Sequence, residues 1–214
     1  MATTPRIAVV DFGAGNLRSV AKALARSGMT PVVTPDPAVV RNADGVVLPG
    51  VGAFADAVAR LKSSGLDDAI RDSLDAGRPY LGLCLGLQVL FDEGDEHGRT
   101  KGLGILPGRV ERFSNRTPSG KPMRVPHIGW NAVKFSGKHP MISKLPAEDT
   151  FYFVHSYRAI PDRESDIVGR VDYEGEFAAA VARSSIFAVQ FHPEKSQSAG
   201  RRLLDAFASW VDEC

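Results

Sequence analysis

Hydrophobic and polar residues follow two periods along the first half of the chain. Short apolar runs bounded by turn residues predict buried strands at residues 6–12, 30–34, 45–48 and 78–83. Between them, apolar residues recur at the spacing i, i+3, i+4 and i+7, which predicts helices at residues 16–27, from residue 54 to Gly65, at 66–76 and at 85–93. Strands that alternate with helices in this way build a parallel sheet covered by helices.

The second half of the chain changes to closely spaced strands. Apolar and alternating runs predict strands at residues 104–113, 125–135, 151–160, 166–173, 177–183 and 186–192, with Glu174-Gly175 as a hairpin turn. Leu203, Phe207, Trp210 and Val211 form the inward stripe of a C-terminal helix, so we expect Trp210 in the core. Residues 115–121 read as an exposed loop. We expect one domain over residues 1–214, of the α/β class, with a central mostly parallel sheet flanked by helices and extra antiparallel strands in the second half.

Composition and charge narrow the class of protein. The 214 residues are 43% hydrophobic and 24% charged, which is ordinary for a globular chain. The net charge of +1 lacks the excess of positive charge that is typical of proteins that bind nucleic acid. The two cysteines, Cys84 and Cys214, are too few for the disulfide framework of a small secreted protein. There is no secretory signal, and the longest apolar stretch, residues 80–91, is too short to span a membrane. We therefore expect a cytoplasmic protein that binds neither membrane nor nucleic acid.

A cysteine lies in a glycine-flanked turn between a predicted strand and a predicted helix, Gly82-Leu83-Cys84-Leu85-Gly86. The turn has the form of a nucleophile elbow with cysteine in the place of serine, and so tight a turn needs small residues on both sides. A sulfur at the start of a helix faces unpaired N–H groups and the positive end of the helix dipole, which favour the thiolate. The pattern indicates a nucleophile, although a lone cysteine is often an inert buried side chain.

Of the five histidines, only His192 comes with an acid that can orient it. It follows an apolar strand in Phe191-His192-Pro193-Glu194, and residues two apart in an extended chain project to the same side. Glu194 would fix the tautomer of His192 and stabilise its imidazolium, which completes a triad with Cys84. Alone, such a tripeptide is more often the loop that ends a strand, but the cysteine elbow favours the catalytic interpretation.

Acyl transfer also needs N–H donors for the oxyanion that develops on the attacked carbonyl. Pro49-Gly50-Val51-Gly52 ends the predicted strand 45–48 at the sheet edge where we expect Cys84. The candidate donors are Val51, Gly52 and Leu85. An ordinary strand-to-helix turn would use the same residues.

The remaining motifs indicate neither a nucleotide site nor a metal site. Gly13-Ala14-Gly15 follows the first strand, but Arg18 stands where a dinucleotide loop has its third glycine. Cys-x-x-Cys, His-Glu-x-x-His and Walker patterns are absent from the sequence. We expect no metal and no cofactor.

The chain strongly resembles the class I, triad-type glutamine amidotransferases over most of its length. Two segments carry this resemblance: the elbow continued to Gln88, Gly82-Leu83-Cys84-Leu85-Gly86-Leu87-Gln88, and His192-Pro193-Glu194. Within that family, four segments look like the glutaminase subunits of imidazole-glycerol-phosphate synthases, which serve histidine biosynthesis: Pro49-Gly50-Val51-Gly52, Pro126-His127-Ile128-Gly129-Trp130-Asn131, His155-Ser156-Tyr157 and Phe191-His192-Pro193-Glu194-Lys195-Ser196. The resemblance implies that Cys84 attacks the side-chain amide of glutamine, that His192 moves the protons, and that a glutamyl thioester is hydrolysed to release glutamate after ammonia.

The resemblance also implies a pocket for the substrate glutamine. Gln88 matches a family position that contacts bound glutamine, and Glu96 matches an acidic position that pairs with its α-ammonium. The backbone around Ser156 and Tyr157 corresponds to the side that holds its carboxylate. A free amino acid carries both charges, so its pocket needs both an acid and N–H donors.

The implied partner is the (β/α)8-barrel cyclase subunit of imidazole-glycerol-phosphate synthase, which takes up the ammonia within a heterodimer. Trp130 and Asn131 would lie near Lys195 beside the active site, where an aromatic ring can anchor an interface. Core packing is the alternative for Trp130. Asn16 and Tyr152 are weaker candidates for the same face. If the N–H near Val51 points away in the resting state, partner binding would switch on catalysis by turning it.

Two alternatives stay open. One is another class I amidotransferase, such as those that serve the synthesis of pyridoxal phosphate, GMP, anthranilate or carbamoyl phosphate. The other is a non-catalytic scaffold of the same fold. The Trp130 motif and the chain length count against the first, and the intact Cys84, His192 and Glu194 against the second.

Overall fold

Most of the predicted strands and helices form close to their predicted bounds. The structure is a computed structural model that describes residues 4–116, 120–173 and 175–214. Its strands are β1 Arg6–Val10, β2 Thr30–Thr34, β3 Gly45–Gly50, β4 Tyr80–Cys84, β5 Phe91–Asp95, β6 Arg99–Lys101, β7 Leu106–Arg112, β8 His127–Phe135, β9 Glu148–His155, β10 Tyr157–Pro161, β11 Ile167–Asp172, β12 Glu176–Arg183 and β13 Ile186–Val189. Its α-helices are α1 Leu17–Arg26, α2 Pro37–Arg41, α3 Phe54–Ser63, α4 Leu66–Asp75, α5 Leu85–Gln88 and α6 Gln197–Asp212. Short 3₁₀ turns lie at Ile142–Lys144, Glu164–Asp166 and Pro193–Lys195.

These strands join in one mixed sheet. Its parallel part has the order β2-β1-β3-β4-β13. Antiparallel pairing continues it through β12, β10 and β7, and β7 pairs with β5, which carries β6. From β12 branches a second antiparallel row of β11, β8 and β9. The predicted α/β fold, with a parallel centre and antiparallel strands from the second half, is confirmed.

The period of two in the parallel strands divides the core into two layers. In β1, Ile7 and Val9 belong to the layer that contains the buried faces of α1 and α6. Ala8 and Val10 belong to the other layer, which contains the buried residues of α2, α3, α4 and α5. The predicted stripe of the C-terminal helix is buried, with Trp210 in the core as expected. Helices therefore cover the parallel strands on both faces.

Two predicted elements are wrong. The helix expected at residues 85–93 ends at Gln88, and β5 begins at Phe91. Nearly every residue from 80 to 91 is buried, so the segment has no polar face whose period would separate helix from strand. The strand expected at residues 151–160 is two strands, because the chain leaves β9, the partner of β8, and enters β10, the partner of β7.

Helix α2 and strand β6 are not predicted from the sequence. Helix α2 is five residues long, which is too short for a periodic signal, and Asp36 begins it by accepting a hydrogen bond from the Ala38 N–H. Of the predicted hairpin turn between β11 and β12, Glu174 lies outside the described residues, as do residues 117–119 of the predicted loop. None of the described helices has the length and apolar character needed to cross a membrane.

Candidate active site

The carboxyl ends of three neighbouring parallel strands bring the predicted catalytic residues together. Cys84 is the last residue of β4 and pairs with Gly50, the last residue of β3. The other neighbour of β4 is β13, and the chain continues from β13 to His192. Open α/β sheets bind ligands at this edge, beyond the carboxyl ends of their parallel strands.

Cys84 occupies a strained turn that only small neighbours allow. Its backbone has φ 54° and ψ −103°, in the positive-φ region that a non-glycine residue rarely adopts. A Cβ on Gly82 would lie 2.6 Å from the carbonyl oxygen of Gly86, and a Cβ on Gly86 would lie 1.8 Å from that of Leu48. Both glycines are therefore required, and the predicted elbow is confirmed. Cys84 is the N-cap of α5, as expected, and the effect of this one-turn helix on the thiol stays a prediction.

A cleft of about 450 Å³ opens above Cys84, within the size range of small-ligand sites. The predicted oxyanion and substrate residues and His192 line it with Cys84: Val51, Gly52, Leu85, Gln88, Glu96, Ser156, Tyr157 and His192. Leu85 begins α5, so its N–H has no acceptor within that helix. Gly52 has a positive φ of 112°. Within the described ranges, no group of three or more His, Cys, Asp or Glu side chains is arranged to hold a metal ion.

His192 and Glu194 form a buried pair. Nδ1 of His192 lies 2.9 Å from Oε1 of Glu194, and the side chains are 5% and 2% exposed. Burial lowers the pKa of His192, but the adjacent Cys84 and Glu194 outweigh it and raise this pKa from 6.5 to about 9. An imidazolium is therefore present at neutral pH. The sulfur of Cys84 and the carboxylate of Glu194 thus both stabilise the charged form of His192.

His155 in the wall of the cleft forms a neutral pair with His127. His155 donates from Nδ1 to the carbonyl oxygen of Tyr157 over 2.8 Å, because a carbonyl only accepts. Its Nε2 then accepts from Nδ1 of His127 over 3.0 Å. Burial is the main cause that lowers the pKa of His127 to about 4 and that of His155 to about 3. Of these three histidines, only His192 carries a proton charge at neutral pH.

A row of amide groups links the cleft wall to the sulfur. Nε2 of Gln88 donates to the carbonyl oxygen of Tyr157 over 3.1 Å and to Oε1 of Gln190 over 3.0 Å. Nε2 of Gln190 is 3.5 Å from Sγ of Cys84, within hydrogen-bond distance for sulfur. Gln190 is not among the residues predicted from the sequence. A signal was present, because Gln190 is the one polar residue in the apolar run 186–191.

Glu96 gives one end of the cleft a negative charge. Its Oε2 accepts from the backbone N–H of Phe54 over 2.7 Å, so it also caps the start of α3. Burial and then the charge of Glu96 raise the pKa of Tyr157 above 10.0. Ser156 lies between β9 and β10, in the same wall as Tyr157. The structure brings Gln88, Glu96, Ser156 and Tyr157 to one cleft, and their contacts to glutamine stay a prediction.

The hydroxyl of Ser196, which was not predicted from the sequence, fixes the backbone of His192 by hydrogen bonds. Oγ of Ser196 donates to the carbonyl oxygen of His192 over 2.6 Å and accepts from the N–H of Tyr152 over 3.0 Å. The N–H of His192 donates to the carbonyl oxygen of Tyr152 over 3.0 Å. The catalytic candidate is thus tied to β9. Nothing in the local sequence indicates this contact, because it joins residues that are 44 positions apart.

An exposed surface surrounds the mouth of the cleft, and we call it the mouth surface: Asn16, Ile128, Trp130, Tyr152 and Lys195. Trp130 and Ile128 are 49% and 59% exposed and lie on the same side of β8. The ring of Tyr152 is 5.9 Å from that of Trp130, and Nζ of Lys195 is 5.9 Å from the ring of Tyr152. Asn16 and Lys195 line one small cavity with His192.

Trp130 is therefore not a core residue. Ile128 was missed, although its alternation with Trp130 is visible in the sequence. Asn131 is not brought to the mouth surface, because it is one residue from Trp130 on an extended strand and its amide donates to the carbonyl oxygen of Asp172 over 3.3 Å. Its contact with a partner stays a prediction.

Comparisons with known proteins agree with this geometry. The sequence model of the family described as Glutamine amidotransferase class-I matches residues 8–209. The chain is 49% identical over 209 residues to the imidazole glycerol phosphate synthase subunit HisH of Methylococcus capsulatus, with 95% of this chain and 96% of that protein covered. It is 46% identical over 202 residues to the subunit HisH of Syntrophotalea carbinolica, with 94% and 98% covered. The solved structure of PurLQS from Thermotoga maritima has a similar fold, with a TM-score of 0.75 at 18% identity and with 98% of this chain and 100% of that chain covered. The chain belongs to the class-I glutamine amidotransferase family.

Proposed function

We propose that this chain is the glutaminase subunit of an imidazole glycerol phosphate synthase, and that it passes ammonia from glutamine to the cyclase subunit. One observation carries the chemistry: Cys84 and the buried His192–Glu194 pair meet at one cleft from neighbouring strands. The choice of synthase is supported by identities of 49% and 46% to subunits of that name over nearly the whole of both chains.

In the first half-reaction, the thiolate of Cys84 attacks the side-chain amide carbon of glutamine. A C–S bond forms, and the π electrons of the carbonyl move onto its oxygen. The N–H groups of Leu85 and of Val51 or Gly52 are the proposed donors to that oxyanion. His192 gives its proton to the amide nitrogen, the C–N bond breaks, and ammonia leaves. Glu194 accepts from Nδ1 and so keeps Nε2 directed at the reacting atoms.

In the second half-reaction, water attacks the glutamyl thioester. His192 takes a proton from that water, the C–S bond breaks, and Cys84 leaves as the thiolate. The products are glutamic acid, whose new side-chain carboxyl then loses its proton to solvent, and a protonated His192, which is the starting state of the site. The sum is glutamine plus water to glutamate, ammonia and one proton, so the chemistry needs no cofactor.

The proposed substrate pocket divides by charge. Glu96 pairs with the α-ammonium of glutamine through the oxygen that does not cap α3. The backbone around Ser156 and Tyr157 holds the α-carboxylate, and Gln88 contacts the bound glutamine near the side chain of Cys84. The charge of Glu96 next to Tyr157 supports this assignment, because it makes that end of the cleft attractive to a cation.

The proposed partner is a (β/α)8-barrel cyclase subunit that covers the mouth surface in a heterodimer. Trp130 is a half-exposed aromatic ring in contact with Tyr152, and such rings anchor interfaces. A partner seated there closes the cleft from above, so ammonia leaves toward the partner and not into bulk water. We further propose that the chain forms one domain, since its described strands share one sheet. A cytoplasmic location is proposed because the free thiol of Cys84 needs a reducing compartment.

The change Cys84→Ala tests the proposed function in the complex with the cyclase subunit. Synthesis of the imidazole product from glutamine should fall to background, because the nucleophile is lost. Synthesis from added ammonium salt should stay at the wild-type rate, because the cyclase is untouched. Product formation with each nitrogen source is the measurement.

The matched control is Cys214→Ser, which changes the other free cysteine and should leave both rates unchanged. Unchanged glutamine-dependent synthesis in Cys84→Ala would favour the non-catalytic scaffold. Ammonia release that is stimulated only by a pyridoxal phosphate type of synthase would show that the chain serves another class I amidotransferase.

A further inference from the structure

A fully buried amide, Gln190, contacts the sulfur of Cys84. It follows β13, is 0% exposed, and its Nε2 lies 3.5 Å from Sγ. Its neighbours Val189 and Phe191 are apolar and fully buried as well. Burying a polar amide is unfavourable unless it is hydrogen-bonded, so an apolar side chain would serve better if the position only filled space.

The neighbouring groups fix which end of the Gln190 amide faces the sulfur. Nε2 of Gln88 is a donor, and it lies 3.0 Å from Oε1 of Gln190. A flipped Gln190 would place one NH₂ group against another and leave its carbonyl against the sulfur. Gln88 cannot flip either, because the same nitrogen donates to the carbonyl oxygen of Tyr157. The side-chain N–H of Gln190 is thus left for Cys84.

Hydrogen bonds also fix the backbone of the two residues that flank Gln88 in this row, Gln190 and Tyr157. The backbone N–H of Gln190 donates to the carbonyl oxygen of Ala179 on β12 over 2.9 Å. The carbonyl of Tyr157 accepts a second hydrogen bond, from His155 over 2.8 Å. A donor that is fixed in this way needs no rearrangement when charge develops on the atom that it faces.

We propose that Gln190 is a catalytic residue, whose side-chain N–H donates to the sulfur of Cys84 and stabilises the thiolate that attacks. This inference rests on the proposed glutaminase chemistry of Cys84. A hydrogen bond to a charged acceptor is stronger than one to a neutral acceptor, so the contact favours the thiolate over the thiol. It also holds the sulfur in one orientation in the wall of the cleft.

The test is alkylation of Cys84 by iodoacetamide in the full chain, followed by mass spectrometry that counts modification at Cys84 and Cys214 separately. The variant is Gln190→Met, which keeps an unbranched side chain and removes the N–H donor. The alkylation rate of Cys84 at neutral pH should fall about tenfold, and its pH profile should move up by about one unit. The rate at Cys214, which is exposed and distant from Gln190, is the internal reference.

The other titratable groups of the cleft are unchanged in this variant: Glu96, His155, Tyr157, His192 and Lys195. Glu194 behind His192 is unchanged too. The matched control is Ser73→Ala, which removes a different buried hydrogen bond, from Ser73 to the carbonyl oxygen of Val40. It should lower the melting temperature and leave the pH profile of Cys84 in place.

A Gln190→Met chain that melts earlier but keeps the wild-type pH profile would overturn the proposal, since Gln190 would then be structural only. If that variant does not fold, Gln190→Glu replaces it, and an unmoved profile there would overturn the proposal equally. Alkylation uses neither glutamine nor the partner. A chain that proves not to be a glutaminase can therefore still show the shift, and the two failures are distinguishable.

Discussion

Three histidines near the cleft show how neighbours decide the chemistry of a residue. Burial lowers the pKa of all three. Only His192 has a carboxylate and the Cys84 sulfur beside it, and these raise its pKa to about 9. His127 and His155 face each other and aromatic rings instead, so they stay neutral. The same side chain is an acid in one place and a fixed donor in another.

The change Glu194→Gln should lower the pKa of His192, because it removes the charge that stabilises the imidazolium. The proton that His192 gives to the leaving group is lost as pH rises through about 9 in the wild type. In the variant, the alkaline limb of kcat/KM should therefore move to lower pH, and kcat should fall by at least about 100-fold. The pH dependence of glutaminase rates in the complex and the NMR titration of the His192 ring measure this.

Glu213→Gln, which removes an exposed acid that pairs with Lys144, is the control and should not move the limb. An alkaline limb that stays in place in Glu194→Gln would show that Glu194 does not set the proton affinity of His192. The shift also has a consequence for folding. The stability that the raised pKa contributes is fully present below pH 6.5 and is lost as pH rises through about 9.

At the scale of elements, the β8 and β9 pair forms one wall of the site. His127 and His155 are directly opposite in the register of these strands, where side chains are in contact. The ring of His127 stacks on Tyr173 at 3.8 Å and on Phe153 at 4.8 Å between centroids. The pairing of two strands thus places two neutral imidazoles in an aromatic environment, where a charge would be costly.

The change His127→Phe should make the fold less sensitive to acid. Below pH 6.5 the unfolded chain takes up a proton at each of these histidines, whereas the folded chain does so only near pH 4 for His127 and pH 3 for His155. The free energy of unfolding therefore falls as pH drops through this window. In the variant, proton uptake on unfolding should be smaller by about one proton. Urea unfolding at a series of pH values measures it.

Phe153→Leu is the matched control, because it disturbs the stacking on His127 without removing a titratable group. It should lower the free energy of unfolding and leave the pH slope as in the wild type. An unchanged slope in His127→Phe would mean that His127 is protonated in the folded chain.

At the scale of the whole molecule, the large exposed apolar side chains of the described residues lie at two separate places. Ile128, Trp130 and Val51 surround or line the cleft, whereas Val32 and Val33 lie on the edge strand β2. Only the first group is continuous with the proposed catalytic residues, through the contact of Tyr152 with Trp130 and with the backbone of His192. A partner on this side can both receive ammonia and influence the catalytic histidine.

The change Trp130→Ala should weaken binding of the cyclase subunit about 10- to 100-fold, as expected for a central aromatic anchor. The melting temperature should stay close to that of the wild type, because the ring is 49% exposed. Isothermal titration calorimetry with the cyclase subunit measures the affinity. Val33→Ala, on the far edge strand and 43% exposed, is the control with unchanged affinity. Loss of affinity in Val33→Ala alone would place the partner at β2.

Features that depend on neighbours along the chain could be predicted from local sequence patterns. The glycines around Cys84 specify a tight turn, and Glu194 lies close to His192 because only Pro193 separates them. The expected extended conformation of this segment is wrong, since Pro193–Lys195 form a 3₁₀ turn. Period-two and period-3.6 patterns determined most strands and the long helices, since one face of each is buried.

The remaining features could not be predicted in this way, because they depend on contacts between distant parts of the chain. The segment after Cys84 is buried on all sides, so its residue pattern does not show where helix α5 ends. The end of α5 and the start of β5 are set by the pairing of β5 with β7. Gln190 and Cys84 are 106 positions apart, and only the sheet register brings the amide to the sulfur. The charge state of each histidine follows from burial and from partners that folding supplies, which no local pattern encodes.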